Sequence, residues 1–264
     1  MKISEWRWNI AQKNEKNFWE KDWKKSLKEN NNLVKEYWNY HKRILLHHIK
    51  LSKTKRVLEI GGGASAFIGY LPKAKKYSLD PLMDYFIKNF NMPRGVKYIK
   101  GKGEEIPFKK DFFDLVIITN VIDHVHNYRE VLSEIRRVLK KKGIVYLSVD
   151  CHNFLLKKYR DFRERMGIGD PAHPHTFTLK DINHELKQSG FKILHIHEGI
   201  GDQGTYSTQK KPKMSFYDKI TISLKEGGIS RLFNSLAYRI LNKIGEFTFP
   251  EKSGVDLIFI LKKA

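Results

Sequence analysis

The sequence predicts an α/β fold, a mostly parallel sheet with helices on both faces, and three observations predict it. From Arg56 onward short apolar or β-branched runs alternate with helical patterns, a triple glycine (Gly61-Gly62-Gly63) follows the first run directly, and an aspartate, Asp80, ends the second. Strands are expected at Arg56 to Ile60, Lys76 to Leu79, Val96 to Ile99, Phe113 to Thr119, Ile144 to Val149, Phe191 to His197 and Asp256 to Leu261.

Helices are expected between them at Ala64 to Leu71, Leu82 to Phe90, Tyr128 to Leu139 and Leu179 to Ser189. In the third, Val131, Leu132, Ile135, Val138 and Leu139 recur at helical spacing, and Lys140 to Gly143 has the look of a basic, glycine-terminated end. In the fourth, Thr178 can cap the start, Asp181 suits the first turn and Gly190 suits the stop.

Residues 1–55, 151–177 and 199–255 fall outside the alternation, which predicts a helical amino-terminal extension (1–55, part of a lid) and a main domain (56–264) with two insertions. The extension holds Trp6, Trp8, Trp19, Trp23 and Trp38 on two or three helices, and packing onto the sheet is the preferred role for them over stacking on a substrate. The last insertion carries an apolar stripe, Ile229, Leu232, Phe233, Leu236, Ile240, Leu241 and Ile244, opposite a polar face. Burial on its own domain or a second subunit is the first reading of 229–244, and contact with a membrane surface or lipid-linked substrate is the second.

Composition narrows the class. A chain of 264 residues with 41% hydrophobic and 12% aromatic residues has the material for one main core. One cysteine, Cys151, excludes an internal disulfide framework, and neither a signal-like apolar start nor a run long enough to span a bilayer is visible, so a cytoplasmic setting is expected. The net charge of +21 attracts polyanions, but the lysines are scattered along the whole chain, which favours general Lys-rich usage over a nucleic-acid surface.

The chemistry-bearing segment is Val57-Leu58-Glu59-Ile60-Gly61-Gly62-Gly63-Ala64-Ser65-Ala66, a buried-strand pattern running into glycines that let backbone approach a ligand closely. Asp80, about twenty residues on, is placed to accept hydrogen bonds from the two ribose hydroxyls of an adenosine-containing cofactor. These features alone leave the cofactor open, because Gly61-x-Gly63-x-x-Ala66 also satisfies the dinucleotide spacing.

Four blocks in order decide the resemblance: the glycine segment; Leu79-Asp80-Pro81; Gly101-Lys102-Gly103-Glu104-Glu105-Ile106-Pro107-Phe108; and Phe113-Asp114-Leu115-Val116 leading to Asn120-Val121-Ile122-Asp123-His124-Val125. From Val57 to Val149 the chain resembles the class I S-adenosylmethionine-dependent methyltransferases, in particular the ubiquinone/menaquinone-biosynthesis-like group of small-molecule enzymes. The resemblance implies a Rossmann-like seven-stranded sheet of order 3-2-1-4-5-7-6, its last strand antiparallel. It implies S-adenosylmethionine as methyl donor and S-adenosylhomocysteine as product. Glu59, Gly61, Gly62 and Gly63 would then hold the aminoacyl end, Asp80 and Pro81 the ribose, Gly103 and Glu104 the adenine edge, and Asn120 and Val121 the methionine side. Ser65 stands where the family has its third glycine and Lys102 where it has an acidic residue, which puts the adenine contact most in doubt.

Methyl transfer from a sulfonium needs positioning first, and a base only where the acceptor carries a proton to be lost. The candidates are His124 and Asp123 just past the fourth strand, and His173 and His175 in the segment after the fifth. No metal is expected: His173, His175 and Asp170 lack a recognisable ligand spacing. His195 and His197 alternate on one strand and so share a face, read as an exposed or interface side.

The leading reading is methyl transfer to a small-molecule acceptor on oxygen, nitrogen or carbon, with sugar, quinone-like and lipid-linked molecules as candidates. Three others stand beside it: an RNA or other polyanion methyltransferase, a non-catalytic cofactor-binding or assembly protein, and an NAD-dependent oxidoreductase. The last leaves the Glu104-Glu105-Ile106-Pro107-Phe108 block without a role. Acceptor, methylated atom and oligomeric state are not written in the sequence.

Overall fold

The computed structural model describes residues 2–23, 31–199, 236–245 and 255–264. Seven strands, β1 (Arg56–Ile60), β2 (Lys75–Asp80), β3 (Val96–Lys100), β4 (Phe113–Thr119), β5 (Leu139–Cys151), β6 (Phe191–Glu198) and β7 (Val255–Lys263), form one sheet in the order β3-β2-β1-β4-β5-β7-β6. The first five pair in parallel, and β7 threads antiparallel between β5 and β6. The expected strand order is the observed one. β4 is buried at every position, as a central strand covered on both faces must be, and its Phe-Asp-Leu-Val-Ile-Ile-Thr run is apolar accordingly.

The helices are α1 (Glu5–Phe18), α2 (Asn31–His48), α3 (Met83–Asn89), α4 (Tyr128–Val138), α5 (Phe154–Arg165), α6 (Leu179–Gln188) and α7 (236–245). On one face Val131, Leu132, Ile135 and Val138 of α4, with Ile182 and Leu186 of α6, pack on Leu58, Val116, Ile118 and Phe259. On the other, Val34, Tyr37, Trp38 and Leu45 of α2 close over Phe67, Leu115, Ile117 and Tyr146. Inside that layer Nδ1 of His41 lies 2.7 Å from the Tyr146 hydroxyl, and burial pushes the imidazole down to about 3, so it packs as a neutral ring. Thr178 and Asp181 close a capping box at the start of α6, with both reciprocal bonds made.

Three expectations change. The helix expected over Ala64 to Leu71 shrinks to a single 3-10 turn, Phe67–Tyr70, because Pro72 forces Leu71 out of the helical region (ψ 154°). Lys140 to Gly143 does not end α4: the chain turns at Leu139, which pairs with Phe113 at once, so the lysines open β5. The 151–177 segment contains α5, capped by Asn153; the sequence hides it because Leu156 is its single buried residue.

Of the apolar stripe, Leu236, Ile240 and Ile244 on α7 are 44%, 48% and 48% exposed, against the expectation of burial, while Ile229, Leu232 and Phe233 lie outside the described residues. Among the described residues no helix is long and apolar enough to cross a membrane. His195 and His197 do share a face, and the C-terminal turn of α2 meets them there, with His48 Nε2 3.0 Å from His197 Nε2.

Candidate functional site

A cavity of about 450 Å³ opens at the carboxyl ends of β1, β2, β4 and β5, under α1 and the start of α2. This is the crevice where open parallel sheets bind ligands, because the strand order reverses between β1 and β4. Its volume suits a small molecule.

The half nearest β1 and β2 is made by backbone. Gly61 and Gly63 adopt φ of +69° and +56°, conformations that side chains disfavour, and a Cβ on Gly61 would come within 2.3 Å of Val121. The chain thus passes against the β4 loop with room for no substituent. Asn120, at the tip of β4, is itself held at φ +51°, a strained value for a non-glycine residue.

Asp80 lines the cavity and is 6% exposed; Oδ2 accepts from the Gly63 amide at 3.2 Å and Oδ1 from the Leu82 amide at 2.8 Å. A carboxylate accepts about four hydrogen bonds, so both oxygens retain capacity for a ligand's hydroxyls. Burial pushes this carboxyl up to about 7, against the pull of those two amides.

Glu59 is placed differently from the expectation. It is 1% exposed and absent from the cavity wall, and its carboxylate accepts from the Phe67 and Ile68 amides, both at 3.0 Å. Burial pushes it up to about 7 as well. It ties the turn after the glycines to β1. Gly61, Gly62, Gly63, Pro81, Gly103, Glu104, Asn120 and Val121 all lie on the wall. Lys102, where the family has an acidic residue, sits with Nζ 3.8 Å from the Trp8 ring centroid and so fastens α1 instead.

The other half is made by side chains from distant segments. Trp8 and Glu15 of α1 and Trp19 just beyond it form one wall; Asp123 and His124 after β4, Asp150 on β5 and His173 form the opposite one. Trp19 reaches the glycine turn itself, packing so closely on Gly63 that a Cβ there would stand 2.2 Å from the indole. Its Nε1 donates to Glu15 at 2.7 Å, and Phe86 and Phe90 meet it edge-on. Arg7 anchors α1 by donating to Glu164 at 3.1 Å and to the carbonyl of Pro171 at 3.0 Å. Trp8, Trp19 and Glu15 were not singled out as site residues by sequence, although the tryptophan concentration was the signal that could have found them.

His175 is not part of this wall. Its ring nitrogen Nε2 lies 2.8 Å from the Val125 carbonyl oxygen and its backbone N–H donates to Asp123 O at 3.2 Å, with Tyr128 edge-on at 5.0 Å. Burial pushes it down to about 4, a neutral ring that holds two loops together. His124, His173 and Asp123 do converge: the imidazole centroids are 4.4 Å apart and His124 Nε2 is 3.8 Å from Asp123 Oδ1. Burial alone would raise Asp123, but His124 and His173 outweigh it and hold the carboxyl below its usual range. Burial alone would lower His173, but its bond to Asp170 and the charges of Asp123 and Asp170 push it up to about 9.

With this geometry in view, a model of the methyltransferase domain family matches residues 34–196, more than half of the chain. The chain belongs to the methyltransferase domain family. The match and the sheet order bear out the class I, S-adenosylmethionine-dependent reading. An uncharacterised protein of Methanocaldococcus jannaschii is 31% identical over 148 residues, covering 55% of this methyltransferase and 68% of that protein. Sterol 24-C-methyltransferase of Candida albicans is 22% identical over 224 residues, covering 78% and 59%. The crystal structure of the YcgJ protein from Bacillus subtilis superposes with a TM-score of 0.56 at 17% identity, covering 86% of this chain and 99% of that one. The matches span from 52% to 68% of the length of the first three curated relatives.

Proposed function

We propose that this methyltransferase moves the methyl group of S-adenosylmethionine to a small-molecule acceptor held between α1 and the loops after β4 and β5. The observation that carries this is the charge of the cavity. Among its described lining residues the carboxylates are Glu15, Asp80, Glu104, Asp123 and Asp150, and the single lysine or arginine is Lys102. A protein of net charge +21 whose cavity wall sets five carboxylates against Lys102 and a charged His173 is built for a neutral or cationic acceptor, not a polyanion. Trp8, Phe18, Trp19 and Trp38 make the remaining wall apolar. The likeness to a sterol 24-C-methyltransferase supports an acceptor with an apolar body, which among the sugar, quinone-like and lipid-linked candidates favours the last two.

The residues present fit the donor. Asp80 is a buried carboxylate with spare acceptor capacity on the cavity wall, and Gly61 and Gly63 bring bare backbone to that wall where a Cβ would strike Val121 or Trp19. When bound, S-adenosylmethionine supplies a methyl group already activated on a positively charged sulfur. The chain's own part is to receive the ribose hydroxyls on Asp80, to hold the amino-acid portion along Gly61 to Gly63 and Asn120, and to set the acceptor in line. Where the acceptor loses a proton, Asp123 and His124 face it, and His173, charged between two carboxylates, orients both. Residues 1–55 act as part of the lid, through Arg7, Trp8 and Trp19.

Titration with S-adenosylmethionine, S-adenosylhomocysteine and NAD at two salt concentrations tests the reading. Tight adenosylhomocysteine binding without an NAD signal supports it; folded, ligand-free protein that ignores both methyl-donor ligands overturns it. Incubation with tritiated donor and neutral, apolar acceptors, beside bulk RNA, then tests the acceptor class. Label transferred to RNA alone removes the small-molecule assignment.

A further inference from the structure

The acceptor wall brings His173 to the adjacent pair Asp123 and His124, three side chains able to ligate a metal. One carboxylate oxygen of Asp123 and one ring nitrogen each of His124 and His173 lie within 4.8 Å of one another. Donors bound to a common cation at about 2.0–2.2 Å stand roughly 3–3.6 Å apart, so the His124 Nε2 to Asp123 Oδ1 separation of 3.8 Å needs only a slight contraction.

Two further observations point to a cation. Asp123 is 7% exposed and its Oδ1 makes no hydrogen bond, since the imidazoles beside it stand too far off to donate, a buried acceptor left without a direct ligand. Each histidine also has a carboxylate at ion-pair distance from its Nδ1, short of hydrogen-bond geometry: Asp170 Oδ2 is 3.2 Å from that of His173, and Glu15 Oε2 is 3.6 Å from that of His124. Metal-ligating histidines donate their other ring N–H to a carboxylate, and a small rotation of either ring would make that bond and leave Nε2 for the ion. Asp170 is in turn held by Arg160 at 3.1 Å and by the Ala172 and His173 amides at 3.0 and 3.3 Å.

We propose that Asp123, His124 and His173 bind one divalent first-row transition metal, through one oxygen and two nitrogens. Two imidazoles and one carboxylate are the ligand set of open, three-point sites, and the positions left free face the acceptor. An acceptor oxygen seated there would be polarised by the cation, a use that rests on the methyl-transfer reading; the cation site itself does not. The metal proposed departs from the sequence expectation of none, which sets His173, His175 and Asp170 aside: His175 belongs to the loops, Asp170 is an outer partner, and Asp123 and His124 join His173.

The test uses the full chain carrying His197→Asn, which removes the His48–His197 pair as a competing surface ligand. Chelator-stripped protein is titrated with Zn²⁺ by calorimetry and with Co²⁺ by visible absorption. One equivalent of Zn²⁺ and a cobalt d–d band are expected. Asp123→Asn and His173→Gln should each weaken Zn²⁺ at least tenfold and abolish the band. Asp170→Asn, which leaves all three ligands in place, should weaken it about 10–100-fold. Circular dichroism accompanies each variant, and Asp170→Asn decides where an inner variant unfolds. No stoichiometric Zn²⁺ binding by the folded protein, or equal affinity in Asp170→Asn, overturns the site and leaves the trio as a proton-accepting wall. Adenosylhomocysteine titrated into the same samples separates the two readings. Donor binding without Zn²⁺ removes the cation site alone, and Zn²⁺ binding without donor binding removes the methyl-transfer reading alone.

Discussion

The two halves of the cavity are built by different means. The donor half is backbone: Gly61, Gly63 and Asn120 in left-handed conformations, with one buried carboxylate, Asp80, tied to two amides. The acceptor half is side chains carried in from α1, the β4 loop, β5 and the segment after α5. Backbone geometry at a strand end tolerates little change, whereas a wall of side chains is revised one residue at a time. On the proposed assignment of donor and acceptor, the difference teaches where function can diverge in this fold: the sheet would hold the donor, and what is laid over it the acceptor.

The largest effect that would sharpen the contrast is expected at Gly61. Gly61→Val places a branched side chain at φ +69° and into Val121, whose nearest methyl would stand 2.3 Å from the new Cβ. Strain of about 1–3 kcal/mol plus the clash should weaken adenosylhomocysteine binding by more than about a hundredfold. Asp80→Ala comes next: loss of charge-assisted hydrogen bonds worth about 1.5–3 kcal/mol predicts a ten- to hundredfold loss by calorimetry. Unchanged affinity in Asp80→Ala breaks the residue map of the donor half.

The same carboxylate predicts a pH dependence. Burial raises Asp80 to about 7, so the ionised form proposed to accept the ribose hydroxyls grows as pH rises through 7 and is lost below it. Between pH 8 and pH 6 the ionised fraction falls about tenfold, and adenosylhomocysteine affinity should fall with it. For folding the sign is opposite. A carboxyl raised above its unfolded value contributes stability that is full below about 4 and is lost as pH rises to 7. Donor affinity that is flat from pH 6 to 8 would mean that Asp80 stays ionised and that its two amide bonds outweigh its burial.

How much could be read from sequence follows the same division. β1, the glycines, Asp80 and the β4 loop are contiguous or fixed by strand order, so their residue types and spacing suffice. Helix α5 and the Ala64 to Leu71 segment were misjudged because one buried leucine gives no periodicity and Pro72 outweighs an apolar run. Glu59 shows a subtler limit: its type and position are those expected, but only coordinates reveal that Phe67 and Ile68 occupy its carboxylate. The acceptor half was legible only as a surplus of tryptophans and scattered histidines. Which histidine faces the cavity depends on the packing of His175 against Val125 and Tyr128, and no spacing rule encodes that.

The smallest effect tests whether the cap is a separate unit. Lys102, from the loop after β3, lies over Trp8 of α1, and a partly exposed cation–π contact of this kind contributes about 0.5–1 kcal/mol. Lys102→Ala should therefore speed amide exchange in α1 about two- to fivefold while exchange in β1 and β4 stays as it is. Trp8→Ala should do more, since it also removes a ring that is 9% exposed, and the double variant should match Trp8→Ala because the partner is already gone. Non-additivity confined to α1, with Asp80→Ala leaving that exchange unchanged, means that the acceptor wall opens while the donor half stays folded. Exchange that rises together in α1 and β1 means the two halves are one cooperative unit, held through Trp19 on Gly63. In that case substitutions in the cap would be felt as losses of donor affinity, and the acceptor could not be changed without disturbing the donor.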